Sequence, residues 1–136
     1  IRLLESYHFN LTGKTVVIIN HSEIVGKPLA LMFLNRGATV TVCHEFTQDL
    51  VSHTKSADIV ISAVGKPNFL NEKMIKDNSI LIDVGISQVQ GKIAGDIDTA
   101  SIADKAAYLS PVPGGVGPMT VAMLLENVVN RASKNL

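Results

Sequence analysis

Five short clusters in the sequence pair residues able to hold a ligand with residues that relax the backbone. They are Asn20-His21-Ser22, His44-Glu45, Gly65-Lys66-Pro67, Asp83-Val84-Gly85-Ile86 and the loop from Pro111 to Pro118. In the first, Ser22 offers a hydroxyl, His21 can reach an anion, and Asn20 is a residue type that tolerates left-handed backbone. Gly26 follows close behind and would let a helix approach a strand. A phosphate-holding turn needs a tight bend, close backbone approach and a helix N-terminus with free N–H groups. Only part of that chemistry is met. Gly26 is the single glycine between Val16 and Phe33, so the G-x-G-x-x-G pattern is absent. Asn20, His21 and Ser22 also suit plain helix capping, and spacing alone does not separate the two uses.

Glu45 is more informative. It stands just past an apolar run, where dinucleotide-binding folds place the acid that hydrogen-bonds a ribose 2′-hydroxyl. A carboxylate there repels a 2′-phosphate, which leans the local chemistry to NAD over NADP; the alternative is a solvated loop glutamate pointing away. The segment 111–118, PVPGGVGP, holds three prolines and three glycines in eight residues. That composition specifies a defined bend with exposed main chain, suited to gripping a ligand ahead of a helix.

Other chemistries find less support. Cys43 adjoins His44, but neighbouring strand residues point to opposite faces, so a buried structural cysteine is expected. The histidines and acids show no metal-ligand spacing such as H-E-x-x-H, and neither a P-loop nor a nucleophile elbow occurs. Asp58 and Asp83 flank apolar runs in the manner of residues that satisfy backbone turns.

The elements that must position these clusters follow from hydrophobic pattern. Apolar, β-branched runs at 15–20, 38–44, 57–64 and 79–86 read as strands, with a last short one in AYLS. Helices are expected over 26–36, closed by Gly37 as a left-handed cap, and over TQDLVSHTKS with Thr47 as N-cap. Short helices are expected in NEKMIKDN and TASIADKA, and a hairpin around Gln90-Gly91. A lead-in helix is expected in residues 1–10 and a final helix within 119–136, running from about Met119 to Ser133. Strands separated by about 20 residues suit crossovers rather than hairpins. The fold class is therefore α/β, a Rossmann-like doubly wound and mostly parallel sheet with helices on both faces. The clusters fall at strand carboxyl ends, where such sheets collect ligands.

A chain of 136 residues fits one domain, and no low-complexity linker divides it. Hydrophobic residues make up 46% with no tryptophan, in keeping with an aliphatic sheet covered on both sides. The formal charge is zero and no basic block stands out, which argues against nucleic-acid binding. No apolar run reaches membrane-spanning length. The lone Cys43 excludes an intrachain disulfide and is compatible with a reducing cytosol. The opening IRLLESYHF starts without methionine inside an apparent helix, which favours one domain of a larger protein.

The segments SEIVGKPLA, ATVTVCH, ADIVISAVGKP, LIDVGI, GDID and PVPGGVGPMTVAMLLENVV occur in this order. In that order they resemble the bifunctional methylenetetrahydrofolate dehydrogenase/cyclohydrolase family over nearly the whole chain. The resemblance implies a cofactor domain in a cytoplasmic, commonly dimeric enzyme of one-carbon metabolism. That family oxidises 5,10-methylenetetrahydrofolate with a nicotinamide cofactor, usually NADP, and hydrolyses the methenyl product to 10-formyltetrahydrofolate. Carried over, the cofactor site comprises Asn20, His21, Ser22, Ile24, Val25 and Gly26 of the first turn, with His44 and Glu45. Val64, Gly65, Lys66, Gly85 and Ile86 complete it. The folate side comprises Pro113, Gly114, Gly115, Val116, Gly117, Pro118 and Met119, and the final helix packs on an amino-terminal domain that shares the folate.

Two departures bear on the cofactor. The family's turn usually reads Gly-Arg-Ser or Gly-Ala-Ser where this chain has Asn20-His21-Ser22, and Ser or Arg usually stands where Glu45 does. Losing an always-charged arginine weakens the case for a 2′-phosphate. NADP or NAD therefore stays open, with a slight lean to NADP from family habit alone. The family's essential lysine lies in a Tyr-x-x-x-Lys pattern. Four residues after Tyr7 is Leu11 and after Tyr108 is Val112, so no catalytic residue and no metal ligand is assigned here. A noncatalytic nucleotide-binding or interaction module is the alternative. Another Rossmann oxidoreductase, of the shikimate dehydrogenase kind, would not be expected to end in PVPGGVGPMT.

Overall fold

The computed structural model describes residues 1–134. Its centre is a five-stranded sheet: β1 (Thr15–Ile19), β2 (Thr39–Cys43), β3 (Ile59–Ser62), β4 (Ile80–Asp83) and, after a hairpin, β7 (Tyr108–Leu109). The spatial order is β2-β1-β3-β4-β7, and each neighbouring pair is parallel. Leaving out the hairpin, this is the doubly wound order 2-1-3-4-5, in which the chain reverses direction between β1 and β3.

The helices are α1 (Arg2–Ser6), α2 (Gly26–Leu34), α3 (Leu50–Ser56), α4 (Thr99–Ile102) and α5 (Val116–Ser133). A 3₁₀ turn covers Glu72–Met74. The antiparallel hairpin pairs β5 (Ser87–Val89) with β6 (Lys92–Ala94) through Gln90 and Gly91. Both turn residues have positive φ, 49° and 77°, the geometry that matches strand twist in two-residue turns.

The apolar runs are continuous because both faces of the sheet are buried. On β1, Val16 and Ile18 join Leu4, Leu11, Phe33, Ala38, Ile59 and Ile61 beneath α1 and α2. Val17 and Ile19 face the other way, into Cys43, Ala57, Val60, Leu70, Ile75, Leu81, Ile97 and Ile102. Alternation along one strand thus feeds two cores.

Several boundaries depart from the sequence reading. The lead-in helix expected in 1–10 is confined to Arg2–Ser6. NEKMIKDN makes only the 3₁₀ turn. Asp49, not Thr47, caps α3: its carboxylate accepts from Ser52 N–H at 3.2 Å with φ at 46°. Thr47 instead accepts the His44 N–H at 2.8 Å, closing the turn after β2. The final helix begins at Val116, so Val116, Gly117 and Pro118 belong to its first turn. Proline costs nothing there, because first-turn N–H groups have no helical partner. Residues 135 and 136 of that expected helix lie outside the described residues. Gly37 does take the left-handed φ of 76° after α2.

Candidate functional site

A cleft of about 350 Å³ opens at the carboxyl ends of β1, β2 and β3. Ile19, Cys43, Leu50, Val64 and Phe69 give it an apolar floor, and Asn20, His21, Ser22, His44, Glu45 and Lys66 a polar rim. Its size falls in the ligand-pocket range, about 300–1,000 Å³, and its apolar floor with few polar groups is typical of such sites.

Asn20 organises the reversal point. Its Nδ2 donates to the Ala63 carbonyl at 2.7 Å, tying the end of β1 to the end of β3. Its Oδ1 accepts from Ser22 N–H at 2.8 Å and Gly26 N–H at 3.1 Å. Ser22 Oγ accepts from Val25 N–H at 3.1 Å. Asn20 does not use its tolerance of left-handed backbone; its contribution comes from the side chain. Asn20 and Ser22 therefore cap the turn and line the cleft at once. The N–H groups of Val25 and Gly26 are consequently engaged, and the free helix terminus of a standard phosphate turn is not reproduced. Gly26 is buried, and a Cβ there would overlap the Asn20 carbonyl, which accounts for the glycine.

His21 is the first-turn residue that turns outward. Its Nδ1 lies 3.6 Å from Glu45 Oε2, with both side chains more than half exposed. The His21 and His44 ring centroids are 5.1 Å apart. His44 Nδ1 in turn accepts from Phe46 N–H at 3.2 Å. The loops after β1 and β2 thus meet at one corner of the cleft, through the residues singled out in the sequence.

The third loop is pinned from beneath. Asp96, fully buried, accepts from Ser62 Oγ at 2.9 Å, Val64 N–H at 2.6 Å and Lys66 N–H at 2.9 Å. Asp83, also buried, accepts from Gly85 N–H and Asp96 N–H at 3.0 Å and from Ile97 N–H at 2.9 Å. Burial pushes the Asp83 carboxyl above its usual range; the backbone donors oppose this, and the Asp96 charge adds to it. Gly85 has no room for a side chain because Asp96 fills that space. Asp83 thus serves backbone turns, as its flanking position suggested. Asp96 was not singled out by itself; the GDID segment in which it lies was the available signal.

The remaining site candidates spread more widely. Val25 is the N-terminal flanking residue of α2, Ile24 is highly exposed beside it, and Ile86 is exposed after β4. Gly65 turns the loop after β3 with φ at 72°. Of the folate-side group, Gly114 and Gly115 line a second cavity of about 230 Å³ with Pro111, Tyr7, Phe9 and Tyr108. Pro113 follows a cis peptide bond, and Val116, Gly117, Pro118 and Met119 open α5. Cys43 is buried; burial raises its thiol above the ordinary range, partly offset by a hydrogen bond with Thr47. Among the described residues no cluster of three or more His, Cys, Asp or Glu could hold a metal ion.

The model of the tetrahydrofolate dehydrogenase/cyclohydrolase NAD(P)-binding domain matches residues 1–136. The chain belongs to this family. Among its relatives, the bifunctional protein FolD of Hydrogenobaculum is 54% identical over 93% of this chain and 46% of its own length. The crystal structure of the Campylobacter jejuni FolD enzyme superposes with a TM-score of 0.97 at 51% identity, covering 99% of this chain and 48% of that one. The Trypanosoma brucei dehydrogenase-cyclohydrolase, solved with NADP and an inhibitor, gives 0.91 at 37% identity, covering 98% and 48%. The chain spans about half the length of the relatives it matches. As the family's NAD(P)-binding domain, it presents its cleft where that fold takes up a dinucleotide.

Proposed function

We propose that this chain is the cofactor-holding half of a methylenetetrahydrofolate dehydrogenase/cyclohydrolase. The observation that carries the proposal is the cleft at the β1/β3 reversal, with an apolar floor for an adenine face and a polar rim for sugar and phosphate. Asn20, His21, Ser22, His44, Glu45, Val64 and Lys66 line it; Ile24, Val25, Gly26, Gly65, Gly85 and Ile86 shape its loops. A nicotinamide held here would supply the hydride acceptor for the one-carbon unit of the folate. This chain's part is positional: its loops fix the dinucleotide across the strand ends, which converts an encounter into an oriented reaction. The family's cytosolic, dimeric habit and the catalytic lysine of its amino-terminal half belong to the same proposal.

The folate lies against Pro113, Gly114, Gly115, Val116, Gly117, Pro118 and Met119, at the junction with that half. Support comes from α5, which carries Val121, Leu124, Leu125, Val128 and Val129 exposed by about 60% each. Their spacing i, i+3, i+4, i+7, i+8 makes one apolar stripe, and α5 has no buried residue of its own. The relatives' additional length supplies a partner for it.

Titration of NAD and NADP into the purified chain by calorimetry tests the proposal, with cyclohydrolase turnover measured alongside. Binding without turnover is expected. The engaged N–H groups of the first turn favour a second reading, a noncatalytic module that has lost the dinucleotide, and absence of heat from either nucleotide would establish it. Cyclohydrolase turnover by the chain alone would refute the placement of the catalytic lysine elsewhere.

A further inference from the structure

We infer that the His21–Glu45 corner makes this site selective for the dinucleotide with a free ribose 2′-hydroxyl, with Glu45 as the specificity-determining residue. The inference rests on the dinucleotide reading of the cleft and goes against the NADP held by the trypanosomal relative. Three observations carry it. Glu45 lies on the loop that follows β2, about 20 residues beyond the first turn's Gly26, at the end of the strand where the ribose-binding acid belongs in this fold. Glu45 lines the cleft, and its carboxylate, although more than half exposed, lies 3.6 Å from His21 Nδ1. His21 therefore acts as a positioning residue, holding the acid over the seam between the β1 and β2 loops.

The third observation is the distribution of positive charge. Lys27 is drawn to Glu23 at 3.4 Å, and Lys66 follows β3 on the far side of β1. Two strand spacings, about 9–10 Å, separate the ends of β2 and β3, so Lys66 and Glu45 stand on loops at opposite sides of the cleft that both line. Arg36 is held by Glu5 at 2.6 Å at the other end of α2. The group paired with Glu45 is the His21 imidazole, which lies 5.1 Å from the His44 ring, and neither imidazole is permanently cationic. A 2′-phosphate at this corner would meet a carboxylate with no fixed positive charge to compensate. A 2′-hydroxyl would find a hydrogen-bond acceptor.

A near-dianionic phosphate at about 4 Å from one carboxylate in a solvent-like dielectric is disfavoured by about tenfold or more in affinity. Calorimetric dissociation constants for NAD and NADP, measured on the full chain, its Glu45→Gln variant and its Glu45→Arg variant, test this. The natural chain should bind NAD about tenfold more tightly than NADP. Glu45→Gln should tighten NADP and narrow the ratio, and Glu45→Arg should invert it. Tightening of NADP is the diagnostic change, since a merely structural role for Glu45 would weaken both nucleotides together. Equal or tighter NADP binding by the natural chain, or a ratio unmoved in both variants, overturns the inference while leaving the dinucleotide site intact. No binding of either nucleotide to the natural chain overturns the dinucleotide reading instead.

Discussion

Aspartates carry much of the local order in this chain, and their environments separate them. Asp58 receives the Lys76 ammonium at 2.5 Å and the Thr15 N–H at 3.0 Å, fastening the turn before β3 to the start of β1. The Lys76 hydrogen bond is the main cause that holds its carboxyl below the usual range, and the Thr15 donor adds to it. The folded state therefore gives up this proton more readily than the unfolded state. Stability from Asp58 is full above about pH 4 and is lost as pH falls through the lowered value. Asp83 works the other way, since a raised carboxyl favours the folded state most at low pH and loses that advantage as pH rises. Asp58→Asn should cost about 1–2 kcal/mol at neutral pH, the lower part of the range for a charge-assisted hydrogen bond at a half-buried site. It should also flatten the decline in stability as pH falls below about 4. Urea unfolding at several pH values measures both, and an acid limb as steep as that of the unaltered chain would show that Asp58 does not set it.

At the scale of elements, the turn between β1 and α2 decides how the sheet meets the cleft. Gly26 sits where any side chain would overlap the Asn20 backbone carbonyl, and Asn20 already holds Ala63, Ser22 and Gly26. Gly26→Ala must displace α2 or break the Asn20 clamp. A loss of about 1–3 kcal/mol is expected, the cost of overpacking a tight contact, together with weaker dinucleotide binding. An unchanged urea midpoint would mean that the turn yields freely. The need for a glycine at position 26 was legible in the sequence, as was the alternation of strands and crossovers, because continuous β-branched runs such as TVVII and IVIS have few other uses. Element ends were less legible. Thr47 and Asp49 both suit a helix cap, and which one caps depends on the left-handed backbone at Asp49 and the His44 N–H that engages Thr47. Val116, Gly117 and Pro118 read as loop by composition, yet an uncapped first helical turn accepts glycine and proline readily. The role of Asp96 was hidden for a different reason: its three donors lie 30 to 34 residues away in sequence.

The whole molecule is asymmetric in what it buries. The sheet is closed on both faces by its own helices, whereas α5 leaves its apolar stripe open and reaches α1 through an ion pair, Arg2 to Glu126, at 3.6 Å. Fold stability and assembly should therefore separate experimentally. Leu124→Glu with Val128→Glu removes apolar contact from the stripe without touching either core. In the chain as it stands, stability should change by less than about 0.5 kcal/mol, as for surface substitutions away from packed features, and nucleotide affinity should be unaltered. When the chain is joined to the amino-terminal half of a FolD relative, the same pair should abolish dehydrogenase and cyclohydrolase turnover while nucleotide still binds. The loss follows because charged side chains cannot be buried unpaired at an apolar junction. Full turnover by the joined double variant would show that α5 does not dock there. Loss of nucleotide binding in the chain alone would show that α5 belongs to the folding unit around the cleft.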